Sequence, residues 1–244
     1  MGLEPYPLLE GQYKEIENAT HGWVDNTFEP GGGFGSAESS YLRNGIEGCE
    51  FNPRAEYPIA SWNVADGETC TYGKLGDGNY AFADATAGPI LSAVHAHSGV
   101  EARLKYISME TKGDPEPVFR IKGEYSASAI ALGLASAGFN ISLYIYDEDA
   151  EKEVARRVIA DSNIRGPYED DLAEDEFIVE MRLDYDKKLT PDHTYSVGIE
   201  ARASGSGGAL DFATVSIRDT GKHNGFAKWT KLEILWENGR ILPY

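Results

Sequence analysis

Apolar and polar positions alternate strictly in several separate stretches of the chain after about residue 57. Successive side chains of a β-strand point to opposite faces of a sheet, so this alternation predicts strands with one buried and one solvated face. The clearest example places Phe139, Ile141, Leu143 and Ile145 on one face, and segments 119–125, 177–185, 195–202 and 231–236 repeat the pattern. Such strands are typical of antiparallel sheets.

Turn-forming residues separate these stretches, as in Thr190-Pro191-Asp192. The best candidate for a helix is 149–158, a segment that is also compatible with a strand, and the acidic region 169–176 is predicted to be a loop. The sequence therefore predicts an all-β fold, a two-sheet antiparallel β-sandwich of the jelly-roll or Greek-key type.

The first 55 residues differ from the rest because they are weakly periodic and rich in turn formers, including a glycine-rich run at 31–35. That run lacks the Gly-Lys-Ser/Thr ending of a phosphate-binding loop. We expect residues 1–55 to form a loop-rich segment that packs on a sandwich domain of residues 56–244.

Acidic residues outnumber basic ones by 40 to 22 among 244 residues, which gives a formal net charge of −18. This balance argues against nucleic-acid binding, which requires clustered Lys and Arg. No run of ~18 apolar residues is present, so membrane insertion is not expected. The sequence begins without a signal peptide, but its composition favours an exported or cell-surface protein. Its oligomeric state is not determined by the sequence.

The two cysteines and two sequons bear on the same question of location. Cys49 and Cys70 are either unrelated thiols or one disulfide, which would close a loop of about twenty residues and contribute ~3 kcal/mol. Asn18 and Asn140 each begin an Asn-x-Ser/Thr sequon, so both are candidates for N-glycosylation in an exported protein.

His95, His97 and Glu101 form the most metal-like pattern in the chain. On a strand, positions i and i+2 point to the same face, so both imidazoles could reach one ion. The pattern resembles the first metal motif of cupins, which implies a jelly-roll barrel with a bound divalent metal. The sequence departs from that family because no histidine lies between His97 and His193 for the second motif. The alternative interpretation is two histidines on a polar strand face.

The acidic region 169–176 suggests two further kinds of site. Glu169, Asp171 and Glu174 have a spacing that resembles the catalytic strand of laminarinase-type glycoside hydrolases, which would make the two glutamates nucleophile and general acid. A region this acidic produces such a spacing by chance, so a solvated loop is the competing interpretation. Segments 169–176 and 147–149 also offer oxygen ligands for Ca²⁺.

The polar face of the strand 139–148 carries two aromatic side chains. Tyr144 and Tyr146 would stand about 6.8 Å apart along the strand, beside Ser142 and Glu148. Exposed rings next to polar groups can form a flat platform for sugar rings. We therefore predict ligand binding by Tyr144, Tyr146, Ser142 and Glu148, with a polysaccharide or glycan as partner; burial of the rings is the alternative.

No catalytic residue is assigned, since neither a Gly-x-Ser-x-Gly elbow between strand and helix nor a cysteine-hydrolase signature is present. Segment 189–195 resembles turns in exported sandwich modules, including sugar-binding modules and surface proteins. The sequence favours a non-enzymatic binding or structural module, with carbohydrate as the ligand class and Ca²⁺ or another divalent metal as a candidate cofactor. The alternatives are a metal-dependent, cupin-like enzyme and a self-associating coat or surface-layer subunit.

Overall fold

The computed structural model describes residues 6–9, 14–29, 34–43, 46–55, 78–88, 93–107, 116–166, 168–183, 188–207, 211–217 and 226–237. These residues form fourteen strands and no helix, and so none of the described segments is a helix able to cross a membrane. The strands are β1 (Tyr6–Leu9), β2 (Lys14–Ile16), β3 (His21–Glu29), β4 (Phe34–Arg43), β5 (Ile46–Ala55), β6 (Asn79–Ala87), β7 (Ala93–Ile107), β8 (Glu116–Leu132), β9 (Ser136–Asp147), β10 (Lys152–Arg165), β11 (Tyr168–Arg182), β12 (Thr194–Ser206), β13 (Phe212–Ile217) and β14 (Phe226–Glu237).

The strands are arranged in two sheets that enclose one hydrophobic core. Sheet A has the order β10-β9-β12-β7, and the far side of β7 pairs with β3 and, in a short parallel stretch, with β1. In sheet B, β11 pairs with one side of β8, while β13 and β14 share its other side. Beyond them lie β6, β4 and β5, and β2 pairs with β14. The predicted all-β, two-sheet sandwich is confirmed.

Alanine fills much of the space between the two sheets. A Cβ built on Gly205 of sheet A would stand 3.5 Å from the methyl carbons of Ala87 and Ala213 on sheet B. Cα atoms of β12 and β6 approach within 8 Å, closer than the ~10 Å usual between stacked sheets. The buried alanines include Ala81, Ala83, Ala85, Ala87, Ala127, Ala129, Ala131, Ala213, Ala96, Ala201 and Ala203.

Large side chains occupy the opposite end of the core. Along β12 the buried residues change from Tyr195 and Val197 to Ala201 and Ala203. The core residues of β8 change in the same direction, from aromatic and branched side chains to alanine. Because side-chain size sets how closely two sheets can approach, the spacing between the sheets narrows along β12.

The N-terminal 55 residues are more regular than their pattern predicts. In their described part, β1 and β3 extend sheet A, whereas β2, β4 and β5 extend sheet B. Partner strands from the rest of the chain supply the hydrogen bonds that hold these strands, since β3 pairs with β7 and β4 pairs with β6.

The prediction of a loop at 169–176 is wrong, because these residues belong to β11 and pair with β8 without a register shift. An edge strand tolerates acidic side chains, which remain in contact with water and oppose pairing with other chains. The helix candidate at 149–158 is instead the turn between β9 and β10 followed by the start of β10.

We predict that Ala203→Leu lowers the free energy of unfolding by about 1–3 kcal/mol, because the added atoms have no room between the sheets. Urea denaturation of the wild type and the variant measures this change. Ala150→Leu is the matched control, since Ala150 is exposed in the β9–β10 turn. Equal stability of the Ala203→Leu and wild-type proteins would contradict the close packing.

Candidate functional site

The outer face of sheet A, which points away from the core, carries polar side chains that are nevertheless buried. Glu101 of β7, Tyr144 of β9 and Glu200 of β12 are each at most 5% exposed. They are covered from both edges of the sheet: Trp23 comes from β3 and Arg156 comes from β10. Between these covering residues a cleft of about 340 Å³ remains, lined by His21, Trp23, Glu101, Arg103, Tyr144, Tyr146, Glu148, Glu153 and Arg156.

A glycine lets the two buried residues at the floor of the cleft meet. Gly198 of β12 lies between Glu101 and Tyr144 in the register of the sheet. A Cβ on Gly198 would stand 2.2 Å from the carbonyl oxygen of Val100 and 2.7 Å from the Glu101 Cβ, so a larger residue does not fit. The Tyr144 hydroxyl therefore reaches across Gly198 and donates a hydrogen bond to the Glu101 carboxylate.

Both oxygens of the Glu101 carboxylate accept hydrogen bonds. Oε2 accepts from Tyr144, and Oε1 accepts from Ser196 Oγ at 2.8 Å and from Arg103 Nε at 3.3 Å. Ser196 Oγ also contacts Glu148 Oε1, while Arg103 Nη2 lies 3.9 Å from that oxygen. One hydroxyl proton serves one carboxylate at a time. The Arg103 guanidinium accordingly supplies the charge that keeps both carboxylates at the cleft.

Tyr144 acts through its hydroxyl and not through an exposed ring. Its ring lies edge-on to Trp23, with centroids 6.4 Å apart, and below Arg156, whose Cζ is 5.9 Å from the ring centroid. Burial and the Glu101 charge raise the pKa of Tyr144 well above its usual value, so the hydroxyl remains a donor. It also accepts a hydrogen bond from Trp23 Nε1 at 2.9 Å.

The predicted platform of two exposed rings is therefore wrong in its geometry, because only Tyr146 is partly exposed at the cleft. Glu148 also lines the cleft, with one third of its side chain exposed. Ser142 is fully buried, and its Oγ lies 2.5 Å from Arg156 Nη1. Ser142 thus positions Arg156 and does not itself face the cleft.

A second depression, which we call the groove, lies further along the same face and has a volume of about 650 Å³. Its floor includes Gly138 and Ser204, and the Ser204 hydroxyl donates to the Gly138 carbonyl at 3.1 Å. His95 and His97 line one side with their ring centroids 6.5 Å apart. The remaining charged side chains of its lining are Arg202, Asp161 and Arg165.

The predicted metal ligands His95, His97 and Glu101 are not brought together. All three lie on the outer face of β7, but Gly99 lies between His97 and Glu101, and a Cβ there would stand 2.5 Å from the Trp23 indole. Trp23 consequently fills the position through which the three side chains would have to converge. His95 and His97 line the groove, whereas Glu101 belongs to the cleft.

Within the described ranges, the side chains close enough to share a metal ion are Asp147, Asp149 and His193. Asp147 accepts from the Ala150 amide and from His193 Nδ1, each at 3.0 Å, and Asp149 accepts from the Thr194 amide at 2.6 Å. Burial opposes ionisation of Asp147, but the hydrogen bonds from His193 and Ala150 prevail and lower the pKa of Asp147. The three side chains thus tie the β9–β10 turn to the start of β12. Calcium binding at 147–149 stays a prediction.

The remaining candidate residues fall elsewhere. Successive residues of a strand alternate between its two faces, so positions 169 and 171 are on one face of β11 and position 174 is on the other. Glu169, Asp171 and Glu174 therefore do not share a face. Asn18 is exposed between β2 and β3, whereas Asn140 lines the groove, which a glycan there would occupy. The Cys49 side chain and all of Cys70 lie outside the described residues, and so does their predicted disulfide.

The sequence pattern did not identify Trp23, Arg103 or Arg156 as residues of the cleft around Glu101. Trp23 and Arg156 reach the cleft through the long-range pairing of β3 with β7 and of β10 with β9. Arg103 lies two residues from Glu101 on the same face of β7, where the period of a strand could have placed it. Gly99 and Gly198 were the sequence features that could have indicated this site, because a glycine inside a strand often marks the close approach of another group. Here those groups are the Trp23 indole and the β7 strand.

We predict that Tyr144→Phe lowers the free energy of unfolding by about 1–3 kcal/mol, because the Glu101 carboxylate and the Trp23 indole each lose a buried partner. Urea denaturation measures the loss. Tyr146→Phe is the matched control, since it removes the same atom from a partly exposed ring, and should change stability by less than about 0.5 kcal/mol. A loss of similar size in both variants would show that the buried network is not the cause.

We also predict that acid weakens the folded state through His97. Burial and the neighbouring Arg202 lower the pKa of His97 from 6.5. Just below that pH the unfolded chain binds more protons than the folded one, so the free energy of unfolding falls as the pH drops. Urea titrations at about pH 7.5 and about pH 5.5 should show this fall, and His97→Gln should reduce it. The prediction fails if the substitution leaves the pH dependence unchanged.

No family model matches the chain, and no curated protein or solved structure matches it either. Function must therefore be inferred from the chemistry of the cleft and the groove. Both lie on the outer face of sheet A, which makes that face the candidate functional surface.

Proposed function

We propose that this protein is a non-enzymatic β-sandwich module that binds a saccharide in the cleft of sheet A. The observation that carries the proposal is the combination of Trp23 and Tyr146 with hydrogen-bonding groups fixed at the floor between them. Saccharides present apolar C–H faces and hydroxyl groups together. Aromatic rings suit the former, and carboxylates and guanidinium groups suit the latter.

The hydrogen-bond network supports binding because it orders the polar groups before a ligand arrives. Trp23, Tyr144 and Glu101 form a continuous chain of hydrogen bonds. Arg156 is held by Glu200 below and by Glu153 beside it, the latter at 2.7 Å. Side chains that are already immobilised lose little conformational entropy when a ligand binds.

A binding role agrees with the way Glu101 is used. Both of its oxygens are engaged by Tyr144, Ser196 and Arg103, an arrangement that favours a fixed acceptor over a reacting group. Glu148 and Glu153 are the more exposed carboxylates of the cleft, and they offer acceptors to ligand hydroxyls. We further infer an extracellular or cell-surface location, which the acidic composition and the exposed sequon at Asn18 support.

A glycan and polysaccharide panel, probed with the purified protein in calcium and in EDTA, tests the proposal. Trp23→Ala and Tyr146→Ala should each weaken binding of the retained glycan about tenfold or more, a change of about 1.4 kcal/mol. Removing either ring takes away apolar contact area at the cleft. The EDTA arm reports whether a divalent cation takes part.

Phe212→Ala provides the control, because Phe212 is an exposed aromatic residue on sheet B, and it should leave binding unchanged. Binding that survives both cleft substitutions, or a panel without any specific binding, would overturn the proposed site.

A further inference from the structure

The lining of the groove has more basic than acidic side chains, whereas in the protein as a whole acidic side chains predominate. The chain carries a net charge of −18, yet the ionisable side chains that line the groove are two arginines, two histidines and one aspartate. An acidic protein that concentrates basic groups in one depression creates a local attraction for anions. These side chains are His95, His97, Arg202, Arg165 and Asp161.

Arg202 and His97 are the centre of this arrangement. They lie directly opposite each other on β12 and β7, where like charges destabilise a sheet. Arg202 Nε is buried and lies 2.8 Å from Glu200 Oε1, but its N–H does not point at that oxygen. Among the described residues, that N–H has no hydrogen-bond acceptor. The Arg202 side chain as a whole is nevertheless 41% exposed, so the rest of its guanidinium can donate to a ligand oxygen in the groove.

We propose that the groove is an anion subsite in which Arg202 and His97 bind the carboxylate or sulfate group of an acidic saccharide. The saccharide nature of the ligand rests on the proposed function of the cleft, whereas the preference for an anion rests on the groove alone.

The chemistry of the lining supports an anionic group. A guanidinium binds carboxylate and sulfate oxygens through charge-assisted hydrogen bonds. A protonated His97 adds a second positive charge directly across the sheet. The Asn140 side-chain amide also lines the groove and adds a neutral donor. An anion would thus offset the repulsion between Arg202 and the protonated form of His97.

The position of the groove supports a ligand shared with the cleft. Both depressions lie on one face of sheet A, and His97 and Glu101 are four residues apart on β7, which corresponds to roughly 13 Å. Trp23 lies between them over Gly99 and also lines the cleft. A saccharide chain can therefore stack on Trp23 and extend toward Arg202 without leaving the sheet.

Binding in the groove should depend on pH, because the affinity for an anion increases when His97 is protonated. Burial and Arg202 hold the pKa of His97 below its ordinary value, and a bound anion should raise it. The charged and titratable groups around His97 are His95 on β7, Asp25 on β3, Arg202 and Glu200 on β12, and Asp161 and Arg165 on β10.

The test is an NMR titration of the His97 ring with sodium glucuronate, with glucose and with sodium sulfate, all at constant ionic strength. We expect glucuronate to raise the pKa of His97 and to bind at least fivefold more tightly at about pH 6 than at about pH 8. Glucose should have neither effect. Arg202→Gln should weaken glucuronate binding about tenfold or more. Arg182→Gln, which removes the same charge from an exposed position on β11, should not.

Three outcomes would overturn the inference: glucuronate that binds no better than glucose, equal effects of Arg202→Gln and Arg182→Gln, or a response to sulfate alone. Failure of the cleft proposal is recognised separately, because Trp23→Ala and Tyr146→Ala would leave panel binding unchanged while the His97 response to glucuronate persisted. That result would leave the anion subsite standing without a saccharide site in the cleft.

Discussion

The buried carboxylate of Glu101 organises the cleft on the outer face of sheet A. Glu101 points away from the core but is almost inaccessible to solvent, and a buried charge is costly unless it is paired and hydrogen-bonded. Tyr144, Ser196 and Arg103 supply those partners from three strands. Trp23 then covers the network and donates to Tyr144. The cleft exists because these side chains must stay together to keep Glu101 satisfied.

Glycine and alanine make this arrangement possible on the two sides of the same sheet. On the outer side, Gly198 lets Tyr144 reach Glu101, and Gly99 leaves room for the Trp23 indole. On the inner side, alanines let the sheets approach closely near Gly205. Small residues therefore determine where the two sheets approach closely and where polar side chains are buried on the outer face. In this way the packing of the core and the shape of the surface both depend on the same sheet.

The charges of the outer face divide it into two regions of different character. In the cleft, Arg103 and Arg156 are balanced by carboxylates. In the groove, Arg202 is paired with Glu200, but it also lies directly across from His97 and disfavours the protonated form of that ring. Positions that break the usual rules of charge pairing are often functional. This contrast within one continuous face is the physical basis for assigning neutral and acidic parts of a saccharide to different places.

The amino-acid sequence alone determined the class of the fold, because alternation along segments such as 139–146 and 195–202 is a local property that any sheet must obey. It also determined that Tyr144, Tyr146 and Glu148 share an outer face, since the period of a strand is two. Only the tertiary structure decided that Tyr144 is buried, that β11 is a strand in spite of its acidity, and that Trp23 separates His97 from Glu101. Those outcomes depend on which distant strands pair and in which register. The burial of polar side chains and the hydrogen bonds that compensate it exist only once the sheets have assembled.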